Sequence, residues 1–192
     1  TTVITNHKWQ MMEIEEVCDI DPKKTEIKDL SEDLKVSFVP MADLNENKIE
    51  FYVKEVKKLK EVIKGYTYFK EEDILLAKIT PCFENGKAGI ARNLTNGIGF
   101  GSTEFIVLRP HKDILPEWIY YFICTENFRK IGKNNMTGSV GQQRLSRDFL
   151  RHYLIPKPPI EIQQQIVGEI DNYQKIINSA RQIVETYKPQ IK

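Results

Sequence analysis

The sequence has few of the residues on which disulfide-stabilised and metal-dependent proteins are built. Among its 192 residues are three cysteines and three histidines, which are Cys18, Cys82, Cys124, His7, His111 and His152. The cysteines include no CxxC pair and their number is odd, which argues against a disulfide framework and predicts a protein of the reducing cytoplasm. The histidines show no HExxH or HxxxH spacing, so the sequence predicts no metal site.

Long apolar runs are also missing. No stretch approaches the roughly 18 apolar residues that a membrane-spanning helix needs, and residues 1–6 lack the basic and apolar regions of a secretory signal. With 41% hydrophobic and 29% charged residues, the composition predicts a soluble globular protein without membrane association. The length suits one domain with an extension. Because the chain does not begin with Met, we expect a processed or excised piece.

Nucleotide-binding motifs are incomplete. Gly86-Lys87 resembles the end of a phosphate-binding loop, but Pro81 replaces the first glycine and Ala88 follows the lysine. The alternating glycines of residues 97–102 lack the third glycine of a dinucleotide-binding fingerprint and precede a strand rather than a helix. We therefore expect no cofactor, and we interpret residues 97–102 as a flexible turn.

Motifs for chemistry on nucleic acids are absent as well. A Mg²⁺-dependent nuclease needs clustered carboxylates and a lysine on a strand, whereas Glu26-Ile27-Lys28 and Glu46-Asn47-Lys48 have turn-like, polar surroundings and are interpreted as surface. An adenine methyltransferase would carry Asn or Asp before Pro-Pro-aromatic, but Lys157 precedes Pro158-Pro159. The sequence predicts no catalytic residues, and we do not expect an enzyme.

Short apolar runs ended by proline, glycine or asparagine predict a first part made mainly of strands. We expect an opening strand or edge segment over residues 9–17, and strands over residues 36–41, 88–91 and 105–108. A further strand is expected in the apolar run between Asp73 and Pro81. Glycine-rich turns between these runs indicate a twisted, mainly antiparallel sheet.

Helical periodicity begins at Pro116, a residue type that is favourable near a helix start. We expect one helix of moderate length, whose apolar stripe consists of Trp118, Ile119, Tyr121, Phe122, Ile123 and Phe128. Residues 134–143 are polar and glycine-rich, so they are expected to form a loop too poor in apolar residues to pack. The fold class predicted is α+β, with a mainly antiparallel sheet, flanking helices and a long C-terminal helix.

The clearest periodic pattern lies after the prolines at 156, 158 and 159. Apolar residues recur at alternating spacings of four and three, as in the heptads of a coiled coil, at Ile166, Ile170, Tyr173, Ile177, Ala180, Val184 and Tyr187. From Ile162 to Tyr187 such a helix would measure about 39 Å, which is too long for so small a domain to cover. We expect part of this seam to pair with a second helix; the alternative is a helix packed against its own domain.

Charge is segregated along a chain whose formal net charge is only +1. Residues 13–50 contain 12 acidic and 5 basic side chains, a net charge of −7. Residues 127–157 contain 7 basic side chains and one acidic side chain, a net charge of +6. A basic face on a nearly neutral protein suits a polyanion, although solvated surface charge without a binding role would give the same pattern.

The polar side chains of residues 134–144 suit binding better than catalysis. Their donors and acceptors can pair with base edges or phosphates, and the glycines allow close approach of the backbone. Lys78 and Lys87 flank another exposed turn. The alternative is that Gln142-Gln143-Arg144 only closes the loop and caps the next element.

Five segments, in this order, resemble the target-recognition half of type I restriction-modification specificity subunits. They are residues 9–17, residues 73–81 with Asn85-Gly86-Lys87, Gly101-Ser102-Thr103-Glu104-Phe105, Gly138-Ser139-Val140-Gly141-Gln142-Gln143-Arg144-Leu145, and residues 155–166 from Ile-Pro-Lys-Pro-Pro to Gln-Gln-Gln-Ile. The resemblance runs from Trp9 to about Tyr187. It rests on the order of the five segments rather than on any single motif.

The resemblance implies a subunit with two such halves, each reading part of a bipartite DNA site in the major groove, whose long helices pair antiparallel. This chain would be one half, either a fragment or a half-subunit that dimerises on a palindromic site. Residues 1–157 would form the target-recognition domain and residues 158–192 the dimerisation or spacer helix. The family subunit has no catalytic residues and delivers DNA to other subunits. The expected partners are double-stranded DNA, a methyltransferase (modification) subunit, an endonuclease subunit, and a second half-subunit or recognition domain.

The predicted DNA contacts are Lys78, Lys87, Ser102, Thr103, Ser139, Gln142, Gln143, Arg144 and Arg147. Basic residues from Arg129 to Arg151 are expected to contact phosphates. Two other hypotheses remain open. The chain could be the recognition domain of a fused methyltransferase-nuclease polypeptide, or the helical seam could make it a scaffold that binds only partner proteins.

Overall fold

The computed structural model describes residues 9–188, which divide into two compact units, one ending at Lys157 and the other beginning at Pro158. Residues 1–6, in which we expected no secretory signal, and His7 lie outside the described residues. Between Trp9 and Lys188, no helix combines the length and apolar character needed to cross a bilayer.

The first unit contains twelve strands and five α-helices among its described residues. The strands are β1 (Gln10–Glu13), β2 (Cys18–Ile20), β3 (Lys35–Val39), β4 (Glu55–Lys58), β5 (Thr67–Lys70), β6 (Ile74–Ala77), β7 (Ala88–Ile90), β8 (Ile98–Gly101), β9 (Phe105–Pro110), β10 (Met136–Thr137), β11 (Arg144–Leu145) and β12 (Leu154–Lys157). The helices are α1 (Ile14–Val17), α2 (Leu59–Val62), α3 (Pro116–Ile123), α4 (Glu126–Asn134) and α5 (Arg147–Arg151).

Two four-stranded sheets form the body of this unit, with strand orders β2-β9-β6-β7 and β4-β3-β8-β5. Two further pairs, β1 with β12 and β10 with β11, form two-stranded ribbons. Every pairing is antiparallel except that of β3 with β8. The predicted α+β class with mainly antiparallel sheets is therefore confirmed.

The apolar side chains of the sheets form two buried clusters. One combines Val39 and Phe69 of the second sheet with Leu75 and Val107 of the first. The other includes the opposite-facing Phe38 and Phe100, with Leu59 and Val62 of α2 packed among them, so both faces of β3 and β8 are buried. Strands buried on both faces are rigid supports for the turns that connect them.

Residues 97–102 are not the flexible turn that the sequence predicted. Residues 98–101 form β8, a central strand buried along its whole length. Ile98 and Phe100 face one apolar cluster, while Gly99 lies under the Phe69 ring, where an added Cβ would come within 2.0 Å of a ring carbon. The glycines serve close packing rather than flexibility.

The predicted opening strand over residues 9–17 is half correct. β1 ends at Glu13, and the next four residues form the helical turn α1. The Glu13 N–H donates to the Glu16 carboxylate at 2.7 Å, which completes a capping box at this helix start.

The single helix expected after Pro116 is two helices. α3 ends at Ile123 and α4 begins at Glu126, because Thr125 accepts a hydrogen bond from the Phe128 N–H and caps a new helix. The loop expected over residues 134–143 includes β10, and Met136 is buried at its start. The predicted absence of packing there is wrong at this residue.

Glu26, interpreted from the sequence as surface, belongs to a hydrogen-bonded network. Its carboxylate accepts from the Tyr68 hydroxyl at 2.9 Å and from Lys70 at 3.1 Å, and it also pairs with Arg109. Partial burial acts against ionisation, but these donors lower the pKa of Glu26 to about 2. Glu26 therefore ties residues that precede β3 to β5 and β9.

The second unit consists of one long helix, α6 (Ile160–Tyr187). Its 28 residues span about 42 Å at 1.5 Å per residue. Its start is organised by the Pro159 carbonyl, which accepts from the N–H groups of Ile162 and Gln163. The sequence predicted this helix to within two residues of its start.

Candidate nucleic-acid interface

Lys78 lies where three segments of the first unit meet. It follows β6 directly, its N–H donates to the Glu104 carbonyl at 2.9 Å, and its own carbonyl accepts from Leu145 at 2.8 Å. Two residues later, the Thr80 N–H donates to the Gln143 carbonyl at 3.0 Å. The backbone after β6 thus runs between the β8–β9 turn and the β10–β11 hairpin and holds both in place.

The Lys78 side chain is partly buried at this junction. Its Nζ donates to the Thr103 carbonyl at 2.6 Å, which leaves two of its three donors for a ligand. Burial lowers the pKa of Lys78, and the charge of nearby Arg147 acts in the same direction.

Arg144 lies in β11, and its guanidinium forms a two-bond fork with the carboxylate of Glu104. Its Nε lies 3.0 Å from Oε2 and its Nη2 lies 2.7 Å from Oε1, while Nη1 donates to the Gln142 carbonyl at 3.2 Å. The hydrogen bond from Arg144 lowers the pKa of Glu104, so the carboxylate remains ionised. This pair joins the hairpin to the β8–β9 turn.

Arg147, the first residue of α5, is held by Asp21 in a similar way. Its Nε donates to Asp21 Oδ2 at 2.7 Å, while Oδ1 of the same carboxylate accepts from the Val107 N–H at 3.0 Å. Asp21 has a φ of 50°, and its own N–H donates to the Val107 carbonyl at 2.8 Å. We call Lys78, Arg144, Arg147 and their carboxylates Glu104 and Asp21 the Lys78 cluster.

The predicted DNA contacts fall in and around this cluster, with one exception. Ser102 and Thr103 form the β8–β9 turn, where Ser102 Oγ accepts from the Glu104 N–H at 3.2 Å. Ser139, Gln142 and Gln143 lie in the adjoining hairpin, whose tip turns through the Gln142 N–H and the Ser139 carbonyl. The Lys87 side chain points elsewhere, with its Nζ donating to the Met41 carbonyl at 3.3 Å.

The segregated charges of the sequence meet in the structure. Arg147 pairs with Asp21, Arg151 lies 4.0 Å from Glu15, and His152 lies 3.0 Å from Glu13. These pairs follow from the fold, because β1 pairs with β12 and α1 packs beside α5. The net charge of +6 on residues 127–157 is therefore partly compensated by the acidic N-terminal segment and does not form a bare basic face.

One group of metal-ligand types lies together within residues 9–188. Glu13, Glu15 and His152 place one ligand atom each within 4.8 Å of the others. Nothing in the sequence indicated this group, because both glutamates are more than 130 positions from His152. Hydrogen bonding to Glu13 raises the pKa of His152, so the group is an exposed ion-pair cluster that favours the protonated imidazole.

Sequence reasoning missed the two carboxylates of the Lys78 cluster. Glu104 lies 40 positions from Arg144, and Asp21 lies 126 positions from Arg147. The only local indication was that Glu104 follows Ser102-Thr103, which were selected as contacts. Asp21 carries no local indication of its role, because it precedes Pro22 and is far in sequence from the other members of the cluster.

The seam of α6 is largely uncovered. Ile177 and Val184 of one heptad position are 44% and 60% exposed, and Tyr173 and Tyr187 of the other are 66% and 55% exposed. A shallow groove of about 320 Å³ follows the same stripe around Ala180. The N-terminal part of the helix differs, because Gln163 and Val167 are buried.

The family model of the type I restriction modification DNA specificity domain matches residues 6–186. The chain belongs to this family. The match includes the Lys78 cluster and nearly all of α6, so both candidate surfaces are parts of a type I restriction modification DNA specificity domain.

Two relatives from Escherichia coli show the closeness of this relationship. The chain is 42% identical over 161 residues to the type I restriction enzyme EcoAI specificity subunit and 41% identical over 161 residues to the EcoEI specificity subunit. Each alignment covers 83% of this chain but 27% of the relative, so the chain spans about a quarter of the length of these proteins.

The fold of the specificity domain also has counterparts among solved structures. The crystal structure of the HsdS subunit from Thermoanaerobacter tengcongensis superposes with a TM-score of 0.70 at 15% identity, over 94% of this chain and 46% of that one. A chain from a structure of a type I R-M system, described in terms of complex assembly and conformational transition, gives a TM-score of 0.67 at 17% identity, over 99% of this chain and 45% of that one. At these identities the likeness establishes the fold.

Proposed function

We propose that this chain recognises one part of a DNA sequence on behalf of a type I restriction-modification complex. The observation that carries the proposal is the Lys78 cluster, in a chain whose family is defined by DNA specificity. The cluster holds three cationic side chains with free donors at the surface where a turn and a hairpin meet. Its two carboxylates fix the arginines without neutralising the group.

The geometry of this surface suits a duplex. The β10–β11 hairpin is a two-stranded ribbon, a shape that the major groove of B-DNA admits. Gln142 and Gln143 in the hairpin carry amides that can pair with base edges, and Ser102 and Thr103 lie beside it. Exposed Lys130 and Lys133 on α4, with Arg151 on α5, would contact phosphates and set the register.

The exposed seam of α6 would join this recognition domain to a second one. A bipartite site results if the second domain differs, and a palindromic site results if two copies of this chain pair through two-fold symmetry. The chain itself would be non-catalytic. It would deliver DNA to a methyltransferase (modification) subunit and, through the complex, to an endonuclease subunit.

Selection from a pool of random duplexes tests the proposal. The purified chain, alone and together with its modification subunit, would be incubated with the pool, and bound duplexes would be sequenced after several rounds. We expect one short sequence to be enriched, and its binding to weaken steeply with salt. Equal retention of all sequences would contradict the proposal. If no duplex is retained at any salt concentration, a scaffold that binds only proteins is favoured.

If this chain is the recognition domain of a fused methyltransferase-nuclease polypeptide, the same binding result is expected, because the recognition residues would be the same. The coding sequence that flanks this chain distinguishes the two origins. Methyltransferase or nuclease motifs in the same reading frame would show that the domain comes from a fused polypeptide.

A further inference from the structure

The guanidinium of Arg144 is occupied on one edge and open at its end. Nε and Nη2 donate to Glu104, and Nη1 donates to the Gln142 carbonyl. A guanidinium carries five N–H donors, so one donor remains on Nη1 and one on Nη2. The side chain is 46% exposed, so these two donors are accessible to a ligand.

Glu104 is a rigid support for this arginine. It lies in the short turn between β8 and β9, both of which are buried strands. Its N–H donates to Ser102 Oγ at 3.2 Å and its carbonyl accepts from the Lys78 N–H at 2.9 Å. The backbone of Glu104, whose carboxylate holds Arg144, is therefore fixed by hydrogen bonds at both its N–H and its carbonyl.

The hairpin that carries Arg144 is also defined by its turn chemistry. Gly141 has a φ of 82° at the third position of the turn that begins at Ser139, as a type II turn requires. Val140 at the tip is 99% exposed, while Met136 and Leu145 at the base are buried. A ribbon anchored at its base and free at its tip can enter a groove without refolding.

We propose that Arg144 reads a guanine in the major groove through Nη1 and Nη2, and that Glu104 is the residue that positions it. Guanine presents two adjacent acceptors there, O6 and N7, and a pair of arginine donors is their commonest partner. The fork from Glu104 fixes the guanidinium plane before binding, which reduces the entropy lost when the two bonds form. This inference rests on the proposed function, since it requires that the chain reads DNA.

The test uses the duplex sequence selected from the random pool. Each guanine is replaced in turn by 7-deazaguanine, which pairs with cytosine but lacks the N7 acceptor. The whole chain is used, with its modification subunit where selection required it. We expect the affinity of the unmodified chain to fall about 5-fold or more at one guanine and to change little at the others.

Variants then assign that guanine to Arg144. Arg144→Met removes all five N–H donors, so replacing the same guanine should cost it little further affinity. Glu104→Ala should reduce the discrimination at this guanine, and Glu104→Gln, which keeps one acceptor, should restore part of it. Because the Arg144–Glu104 pair is exposed, its loss should leave the circular dichroism spectrum unchanged.

A matched control is available in a second arginine–glutamate fork. Arg92 donates from Nε and from Nη2 to Glu72, each at 3.2 Å, on the segment that follows β7. Arg92→Met and Glu72→Ala should discriminate guanine from 7-deazaguanine as the unmodified chain does. If these variants lose as much of this discrimination as Glu104→Ala does, the effect of Glu104→Ala is general and the inference is overturned.

Three further results are decisive. If a sequence is selected but contains no guanine, or no guanine is sensitive to the N7 replacement, the inference fails and the proposed function stands. If Arg144→Met remains as sensitive as the unmodified chain, another residue reads the guanine and the inference fails. If no sequence is selected at all, both fail together.

Discussion

The Arg109 guanidinium donates from Nε and Nη2 to the two carboxylate oxygens of Asp73, each at 2.7 Å. Asp73 is 1% exposed, and its Oδ2 also accepts from the Lys70 N–H at 2.8 Å. The pair connects β9 to the residue that precedes β6, the strand from which Lys78 emerges. A buried ion pair thus fixes the start of the strand whose other end leads into the Lys78 cluster.

Replacing Arg109 by Met should therefore destabilise the first unit strongly. Asp73 would stay buried without its charged partner, and breaking a buried pair on one side costs about 3–5 kcal/mol. Arg151→Met removes an exposed partner of Glu15 and should cost about 0–1 kcal/mol. Urea unfolding followed by circular dichroism measures both. Similar small losses in the two variants would show that Asp73 is not held by Arg109.

Gly99→Ala should destabilise the sheet, whereas Gly168→Ala should stabilise α6. A Cβ at Gly99 would meet the Phe69 ring at 2.0 Å, and such overpacking of a core costs about 1–3 kcal/mol. A Cβ at Gly168 would meet nothing within 4 Å, and alanine is favoured over glycine within a helix by up to about 1 kcal/mol. Thermal unfolding should show Tm shifts of opposite sign. A tolerated Gly99→Ala would contradict the packing described for β8.

The fold was predictable wherever the signal was local. The heptads of α6 and the strand before Pro81 were readable because their apolar periodicity lies within one element. β8 was missed because Gly99 and Gly101 look like a turn until the Phe69 ring and the Val39 carbonyl, both distant in sequence, are known to lie against them. Tertiary packing, rather than local preference, decides that segment.

Most of the residues selected from the sequence lie together in the structure, but the sequence did not indicate how they are held. Gln142, Gln143 and Arg144 were found as a polar group in one loop, and the structure brings Lys78 and Arg147 to them. Nothing local indicated that Arg144 would be held by Glu104, because ion pairs across many positions depend on the sheet topology. Lys87 was selected for its turn, but the direction of its side chain is set by the carbonyl of Met41.

The stability of the first unit should depend on pH through His152. Its imidazole lies 3.0 Å from Glu13, with Glu15 and Asp148 within 4.0 Å, and it directly follows Arg151, the last residue of α5. Since hydrogen bonding to Glu13 raises its pKa in the folded state, protonated His152 stabilises the fold fully below the ordinary histidine value of about 6.5. That contribution is lost as pH rises through the raised pKa.

Urea unfolding at a series of pH values between 5 and 9 measures this contribution. The unfolding free energy of His152→Gln should decrease less with rising pH, over the range in which His152 of the unmodified chain loses its proton. His111→Gln is the control, because His111 faces Asp19 at 3.4 Å on another edge of the unit. Identical profiles for the unmodified chain and His152→Gln would contradict the ion-pair assignment.

Charges placed in the α6 seam should separate a helix-mediated dimer. Ile170→Asp with Ile177→Asp puts two carboxylates at one core heptad position, where a partner helix would have to bury them. Ser179→Asp with Gln182→Asp adds the same charge outside the seam. In sedimentation velocity we expect the first pair to yield monomers and the second pair to sediment as the unmodified chain does. A dimer that survives the first pair would place the contact elsewhere.

Methylome mapping tests the recognition of DNA sequence most directly. Genomic DNA from cells that carry the gene, and from cells in which it is deleted, would be sequenced by a method that detects modified bases. We expect a methylated sequence motif that is present with the gene and absent without it. The same methylated motifs in both cells would contradict the claim that this chain selects the DNA sequence.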